Sequence, residues 1–169
     1  EAELAVMGME LGADVPACLR GHTLYVGGAG EDIDPGPVLP NLPLVLVGPG
    51  ARLGTAQVFQ ALDGAWSDPA RVDGTPADLG AVVQELAQRR NDLQITAQRL
   101  EPAIGDALDA LSRRPGCLLA RMSGSGPVCF GIFDSQTTAA AAAAAIAQQR
   151  PGWWVCATET IAADGSVSA

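Results

Sequence analysis

Apolar positions recur along the chain with two periods, and each change of period marks an element boundary. Residues 42–47 (LPLVLV) form a continuous leucine and β-branched run, short enough for a buried strand. Residues 55–62 read as a helix, and 63–77, carrying Asp, Gly, Ser and Pro, as a surface loop. Residues 78–90 place Leu79, Val82, Val83 and Leu86 at i, i+3, i+4 and i+7, one face of a helix. Helix resumes after a break at Asn91-Asp92 and runs to Leu100. Residues 103–113 give a further helix, opened by Pro102 and stopped by Pro115-Gly116. Residues 117–122 and 128–133 read as strands about the turn SGSGP. Residues 136–149 form a helix capped by Asp134 or Ser135, in which Ala139–Ala145 is an unbroken alanine run of high helix propensity. Residues 153–161 read as the last strand, and the final eight as a frayed tail.

Ahead of residue 42 the pattern is weaker. Residues 1–9 read as the last turns of a helix, with Leu4 and Met7 on one side and Gly8 near its end. LGADVPACLRG reads as a turn followed by a short apolar strand. Residues 22–26 alternate as a strand, and GGAGEDIDPGP is turn material with room for the second strand of a hairpin. From residue 42 onward the order is β-α(several)-β-β-α-β. This is an α+β, ferredoxin-like split βαβ order, an antiparallel sheet with helices on one face. The order alone assigns no function, because this fold hosts many.

Composition narrows the function classes. The 169 residues are 48% hydrophobic and 17% charged, a folded rather than a disordered balance. Ten basic residues, all arginine, face 19 acidic ones, for a net charge of −9. Such a surface disfavours nucleic acid and anionic membrane, so neither is expected as a partner. It leaves room for a nucleotide, which needs only a local cluster of donors. No apolar stretch is long enough to span a bilayer. Cys18, Cys117, Cys129 and Cys156 are scattered, with no C-x-x-C pair and no histidine cluster. They read as reduced, buried thiols of a cytoplasmic protein rather than as a metal or disulfide set.

Two segments can carry chemistry. In Leu11-Gly12-Ala13-Asp14-Val15-Pro16, Asp14 is either a turn-forming aspartate bonded to nearby N–H groups or a base facing a substrate hydroxyl. In Arg121-Met122-Ser123-Gly124-Ser125-Gly126-Pro127, the glycines either supply positive φ to a hairpin or clear the backbone for an anion. The second segment is not a P-loop, because no lysine follows the glycines. His22 is the chain's one histidine, and at a strand start it reads as structural.

Together, L-G-A-D-V-P and R-M-S-G-S-G-P with V-C-F-G-I-F resemble the GHMP superfamily of small-molecule kinases, most of all its branch acting on a diphosphocytidyl sugar alcohol. Arg20-Gly21-His22, the GAGE stretch at 28–31, Pro49-Gly50 leading to Thr55 and Phe59, and Asn91-Asp92-Leu93 follow in the family's order, over about residues 1–160. The resemblance implies residues 39–163 as the C-terminal GHMP kinase domain, 1–38 as a remnant of the preceding domain and 164–169 as a tail. It implies ATP and magnesium as cofactors, no protein-held metal, and a small substrate bearing a cytidine diphosphate moiety in isoprenoid precursor biosynthesis. By position, Asp14 would be the catalytic base, and Gly124, Ser125 and Gly126 the third motif, closing over the transferred phosphate. Phe59 would stack on the cytosine, with Thr55 a polar contact beside it. From the residues alone, Phe59 reads equally as a core-facing helix residue and Thr55 as a helix N-cap.

The chain departs from the family pattern in two respects. It contains no Gly/Ser-rich loop opening a helix upstream of the aspartate, and it contains no lysine. Phosphoryl transfer depends on such charge-neutralising groups. The expectation is therefore a substrate-binding half, inactive alone, whose missing N-terminal half completes it. The rival readings are a homoserine or mevalonate type of GHMP kinase, and a non-catalytic ferredoxin-like module binding a metabolite or RNA. Few aromatics on the expected strands and the acidic balance argue against RNA.

Overall fold

The computed structural model describes residues 15–28, 30–64, 66–72 and 74–161. The helix expected over 1–9, Asp14 and the tail from residue 162 lie outside the described residues. The chain divides into two compact units. One holds residues up to 41, 71–78 and 161 onward; the other holds 42–70 and 79–160.

In the first unit, helix α1 spans Val15–Arg20, and strands β1 (Leu24–Gly27) and β2 (Asp32–Pro35) form an antiparallel hairpin with Tyr25 opposite Asp34. The apolar strand expected after Asp14 is thus a helix. The run VPACLR is too short for periodicity to separate helix from strand, and Pro16 in its first turn suits a helix start. Tyr25 ties residues 71–72 to the hairpin. Its hydroxyl accepts from the Val72 N–H at 2.8 Å. The Arg71 guanidinium lies 4.8 Å from its ring centroid and pairs with Asp34.

The second unit contains β3 (Pro43–Gly48), α2 (Thr55–Gln60), α3 (Leu79–Ala87), α4 (Gln94–Leu100) and α5 (Ala103–Ser112). It continues with β4 (Cys117–Met122), β5 (Cys129–Phe133), α6 (Gln136–Gln149) and β6 (Trp154–Glu159). The sheet runs β4-β5-β3-β6 with every pairing antiparallel. This is the α+β ferredoxin-like arrangement the sequence order implies, with extra helices in the first crossover.

One face of the sheet, built from Val45, Val47, Cys129 and Phe133, packs against Ile104, Ala107 and Leu111 of α5. It also packs against Ala139, Ala142, Ala143 and Ile146 of α6. The alanine run therefore has a packing role beyond helix propensity: its buried members recur at i, i+3 and i+4, Ile146 continues the stripe at i+7, and small side chains let the helix lie close to the strands. Ile146, wholly buried, contributes about 1.5–3 kcal/mol of apolar burial. Ser135 caps α6 by accepting from the Thr138 N–H at 3.2 Å, an interaction of about 1 kcal/mol. Gly131 lets α5 approach β5, since a Cβ there would stand 3.2 Å from Leu111 Cδ2 and 3.0 Å from Phe133 Cε2.

The four cysteines are free thiols. Cys129 is buried, Cys117 and Cys156 are half-buried, and Cys18 is exposed. The expectation of four buried thiols therefore fails at Cys18, which lies on the short helix α1 rather than in a strand.

Candidate functional site

The glycine-serine loop joins β4 to β5. The Ser123 N–H donates to the Val128 carbonyl and the Gly126 N–H to the Ser123 carbonyl, both at 2.9 Å, which closes a tight turn. Gly124 (φ +52°) and Gly126 (φ +84°) occupy the left-handed region that favours glycine. A Cβ at Gly124 would meet nothing within 4 Å, so space lies open beside that backbone. At Gly126 it would meet Met122 Sδ at 2.8 Å, so this glycine seats the loop on the core.

A side-chain clamp from the start of α4 holds the loop. Asn91 Nδ2 donates to the carbonyls of Met122 (3.0 Å) and Gly124 (2.7 Å), while Asn91 Oδ1 accepts from the Leu93 N–H at 3.0 Å. Two acceptors on one side of the amide and a donor on the other fix which atom is nitrogen. Gln94 Oε1 accepts from the Met122 N–H at 3.0 Å. Asn91 figures in the sequence resemblance without a role, and Gln94 does not figure at all. Both act across about thirty residues, and the only local signal is an Asn-Asp pair at a helix break.

Helix α2 brings the other candidates to this loop. Its N-cap is Gly54, with no side-chain cap bond, so Thr55 is not the cap. The Thr55 hydroxyl instead lies 2.9 Å from the Ser125 hydroxyl, 70 residues along the chain. Their mutual bond spends one O–H as donor and leaves the other O–H able to donate to an incoming group. Phe59, one turn on, is 50% exposed, while its neighbour Val58 is fully buried. The core-facing reading of Phe59 does not hold. The exposed ring meets Trp66, with centroids 5.9 Å apart and planes at 43°.

The structure thus brings Thr55 to Ser125, between Gly124 and Gly126, and sets Phe59 on the same helix. Asp14 lies outside the described residues. His22 sits between α1 and β1 with Nδ1 2.7 Å from the Arg20 carbonyl, a local structural contact. At the end of β4, burial pulls the Arg121 guanidinium below the usual arginine range. An open depression of about 210 Å³ is lined by Ile95 and by Asp63, Arg90, Asp92 and Arg99, whose charges neutralise one another in pairs.

Residues 71–151 match the family of GHMP kinase C-terminal domains. Over all 169 residues the chain is 41% identical to the 4-diphosphocytidyl-2-C-methyl-D-erythritol kinase of Rhodospirillum rubrum and covers 56% of that protein. A crystal structure of 4-(cytidine 5'-diphospho)-2C-methyl-D-erythritol kinase superimposes with a TM-score of 0.68 at 29% identity, covering 93% of this chain and 57% of that one. Homoserine kinase from Cytophaga hutchinsonii gives 0.62 at 20% identity, over 89% of this chain and 51% of that one, a likeness of fold alone. The chain spans about half the length of the curated relatives it matches.

Proposed function

We propose that the chain is the acceptor-binding side of an ATP-dependent kinase of the GHMP type, a reading supported by the match of residues 71–151 to that family's C-terminal domains. Its substrate is 4-diphosphocytidyl-2-C-methyl-D-erythritol, phosphorylated on the 2-hydroxyl, in a cytoplasmic step of non-mevalonate isoprenoid precursor synthesis. Residues 39–163 serve as its C-terminal domain, 1–38 as the end of the preceding one and 164–169 as a tail. The names of the relatives support the substrate. No described helix is long and apolar enough to cross a membrane.

The observation that carries the reading is the Thr55–Ser125 bond, which joins a candidate substrate contact to the candidate phosphate loop. ATP, when bound with magnesium, supplies the transferable phosphoryl group and the charge that offsets it. The open space beside Gly124 and the remaining hydroxyl donor of the Thr55–Ser125 pair suit an anionic group there. Gly124, Ser125 and Gly126 line the transferred phosphate, Phe59 stacks on the cytosine, and Thr55 orients the substrate between them. Asp14 would align the acceptor hydroxyl and take its proton as the new P–O bond forms and the γ-phosphoryl's bond to the β-phosphate oxygen breaks, releasing ADP.

Asp14→Asn in the full-length protein tests the assignment. Asparagine supports the same turns but cannot act as the base. Turnover should fall on the order of a hundred- to ten-thousand-fold, with affinity for the diphosphocytidyl substrate, measured by calorimetry, nearly kept. Turnover within about threefold of the parent, well short of general-base loss, would make Asp14 a turn residue. Affinity lost together with turnover would make it a binding or folding residue.

A further inference from the structure

Phe59 and Trp66 are 50% and 57% exposed, yet their rings touch. Large aromatics left in water side by side gain only part of the burial that ordinarily justifies them, so a shared exposed aromatic corner needs a reason. The loop carrying Trp66 is fastened on both sides of the ring. Before it, Arg99 grips Asp63 with two bonds, Nη1 to Oδ2 at 3.0 Å and Nη2 to Oδ1 at 2.8 Å. After it, Asp92 Oδ2 accepts from both the Ser67 N–H (2.9 Å) and the Ser67 hydroxyl (2.7 Å), while Arg90 Nε donates to Asp92 Oδ1 at 2.5 Å. The Asp63–Arg99 pair is exposed on both sides and adds little stability by itself. What two fastenings around one tryptophan do provide is a fixed position for its ring.

Resting on the reading of Phe59 as the base-stacking residue, we propose that Trp66 is a positioning residue of that subsite, a buttress that holds the Phe59 ring in the orientation a planar nucleobase needs. A phenyl ring half in water would otherwise sample several rotamers, and ordering it would subtract from the stacking energy at every binding event. A tilted aromatic contact restricts that freedom in advance, and half of Phe59 remains open to the base. Trp66 thus acts on how tightly the cytidylyl group binds and leaves the phosphoryl-transfer step unchanged.

The test uses the full-length protein, the diphosphocytidyl substrate for kinetics and cytidine diphosphate as the binding probe. Trp66→Ala should raise KM for the substrate about two- to tenfold, the range of an aromatic pair contact, with kcat within about twofold. Trp66→Phe should restore most of the loss, because a second ring still buttresses Phe59. Trp66 also reports on itself: cytidine diphosphate should change the parent's tryptophan emission, and Trp66→Phe should lose that change. Trp153, beneath Arg150, and Trp154, on β6, remain in that variant. Should Trp66→Ala not fold, the emission comparison decides alone. If Phe59→Ala raises KM while Trp66→Ala does not, the buttress is overturned and the base-stacking reading stands. If Phe59→Ala leaves KM unchanged, the stacking reading falls and the buttress with it. An equal emission change in the parent and in Trp66→Phe likewise overturns the proposal.

Discussion

Asn91 holds Gly124: its amide nitrogen donates to the glycine carbonyl at 2.7 Å across 33 residues of sequence, and the same nitrogen also serves Met122. The loop that carries the candidate phosphate contacts is therefore set by the start of α4 as much as by the two strands it joins.

Replacing Asn91 tests that clamp. Asn91→Ala removes the donor from two carbonyls and the acceptor from the Leu93 N–H, and should cost about 1–3 kcal/mol in urea unfolding. Asn91→Asp is nearly the same shape but sets a carboxylate against two carbonyl oxygens, so it should be less stable than the alanine variant. On the proposed function, both should lower turnover in the full-length protein more than affinity for the proposed acceptor. An aspartate variant as stable as the parent would show that the clamp carries no weight.

The two loop glycines should respond unequally. Gly124→Ala meets open space and incurs the left-handed backbone penalty of about 1–2 kcal/mol. Gly126→Ala incurs the same penalty and also drives a Cβ to 2.8 Å from Met122 Sδ. Met122 is only 1% exposed, so its side chain has little room to yield. Gly126→Ala should be the more destabilised of the two in denaturant unfolding. Equal losses would mean that the Met122 side chain repacks without cost.

Most of the second unit is legible in the sequence because its signals are local. The helix expected over residues 136–149 matches α6, bounded by a serine cap and a Pro-Gly stop. The alternation of strands and helices from residue 42 leads directly to the observed sheet. What local reasoning misses is what distant residues decide. Whether VPACLR is helix or strand is not encoded in six residues. Thr55 looks like a cap because threonine often is one, but its hydroxyl is taken by Ser125. Phe59 is exposed and Val58 buried because of how α2 sits on the core, and neither residue type announces it. The pattern around Asn91 marks a helix break and gives no hint of the carbonyls it reaches.

Cysteine reactivity should follow burial. Desolvation pushes the Cys129 thiol up to about 12 and also raises Cys117. At pH 8 an alkylating reagent should label exposed Cys18 first and leave Cys129 untouched until the protein unfolds. Peptide mapping after a short pulse checks this. Labelling of Cys129 at the rate of Cys18 would show that the sheet–helix core opens readily.

The fastening of the Trp66 loop by Asp92 should have its own acid signature. The Ser67 N–H, the Ser67 hydroxyl and the Arg90 guanidinium hold the Asp92 carboxyl down to about 2, from 3.8 for an unperturbed aspartate. A carboxylate with a lowered folded-state pKa contributes stability that is fully present above its unfolded pKa and is lost as pH falls toward its folded pKa. The window is therefore about pH 4 down to about pH 2. Between pH 7 and pH 5 the stability gap between the parent and Asp92→Asn should be flat; below about pH 4 it should narrow steadily as the parent's carboxylate takes up its proton. Asp63, lowered by its hydrogen bonds and charge pairing with Arg99, also adds to the acid sensitivity. It does so in both proteins, so the gap between them isolates Asp92. Urea midpoints at pH 7, 5, 4 and 3 give the curve. A gap that stays constant through pH 3, or widens on acidification, would show that Ser67 and Arg90 do not stabilise the Asp92 carboxylate. The loop would then owe its place to the Asp63–Arg99 pair and the aromatic contact.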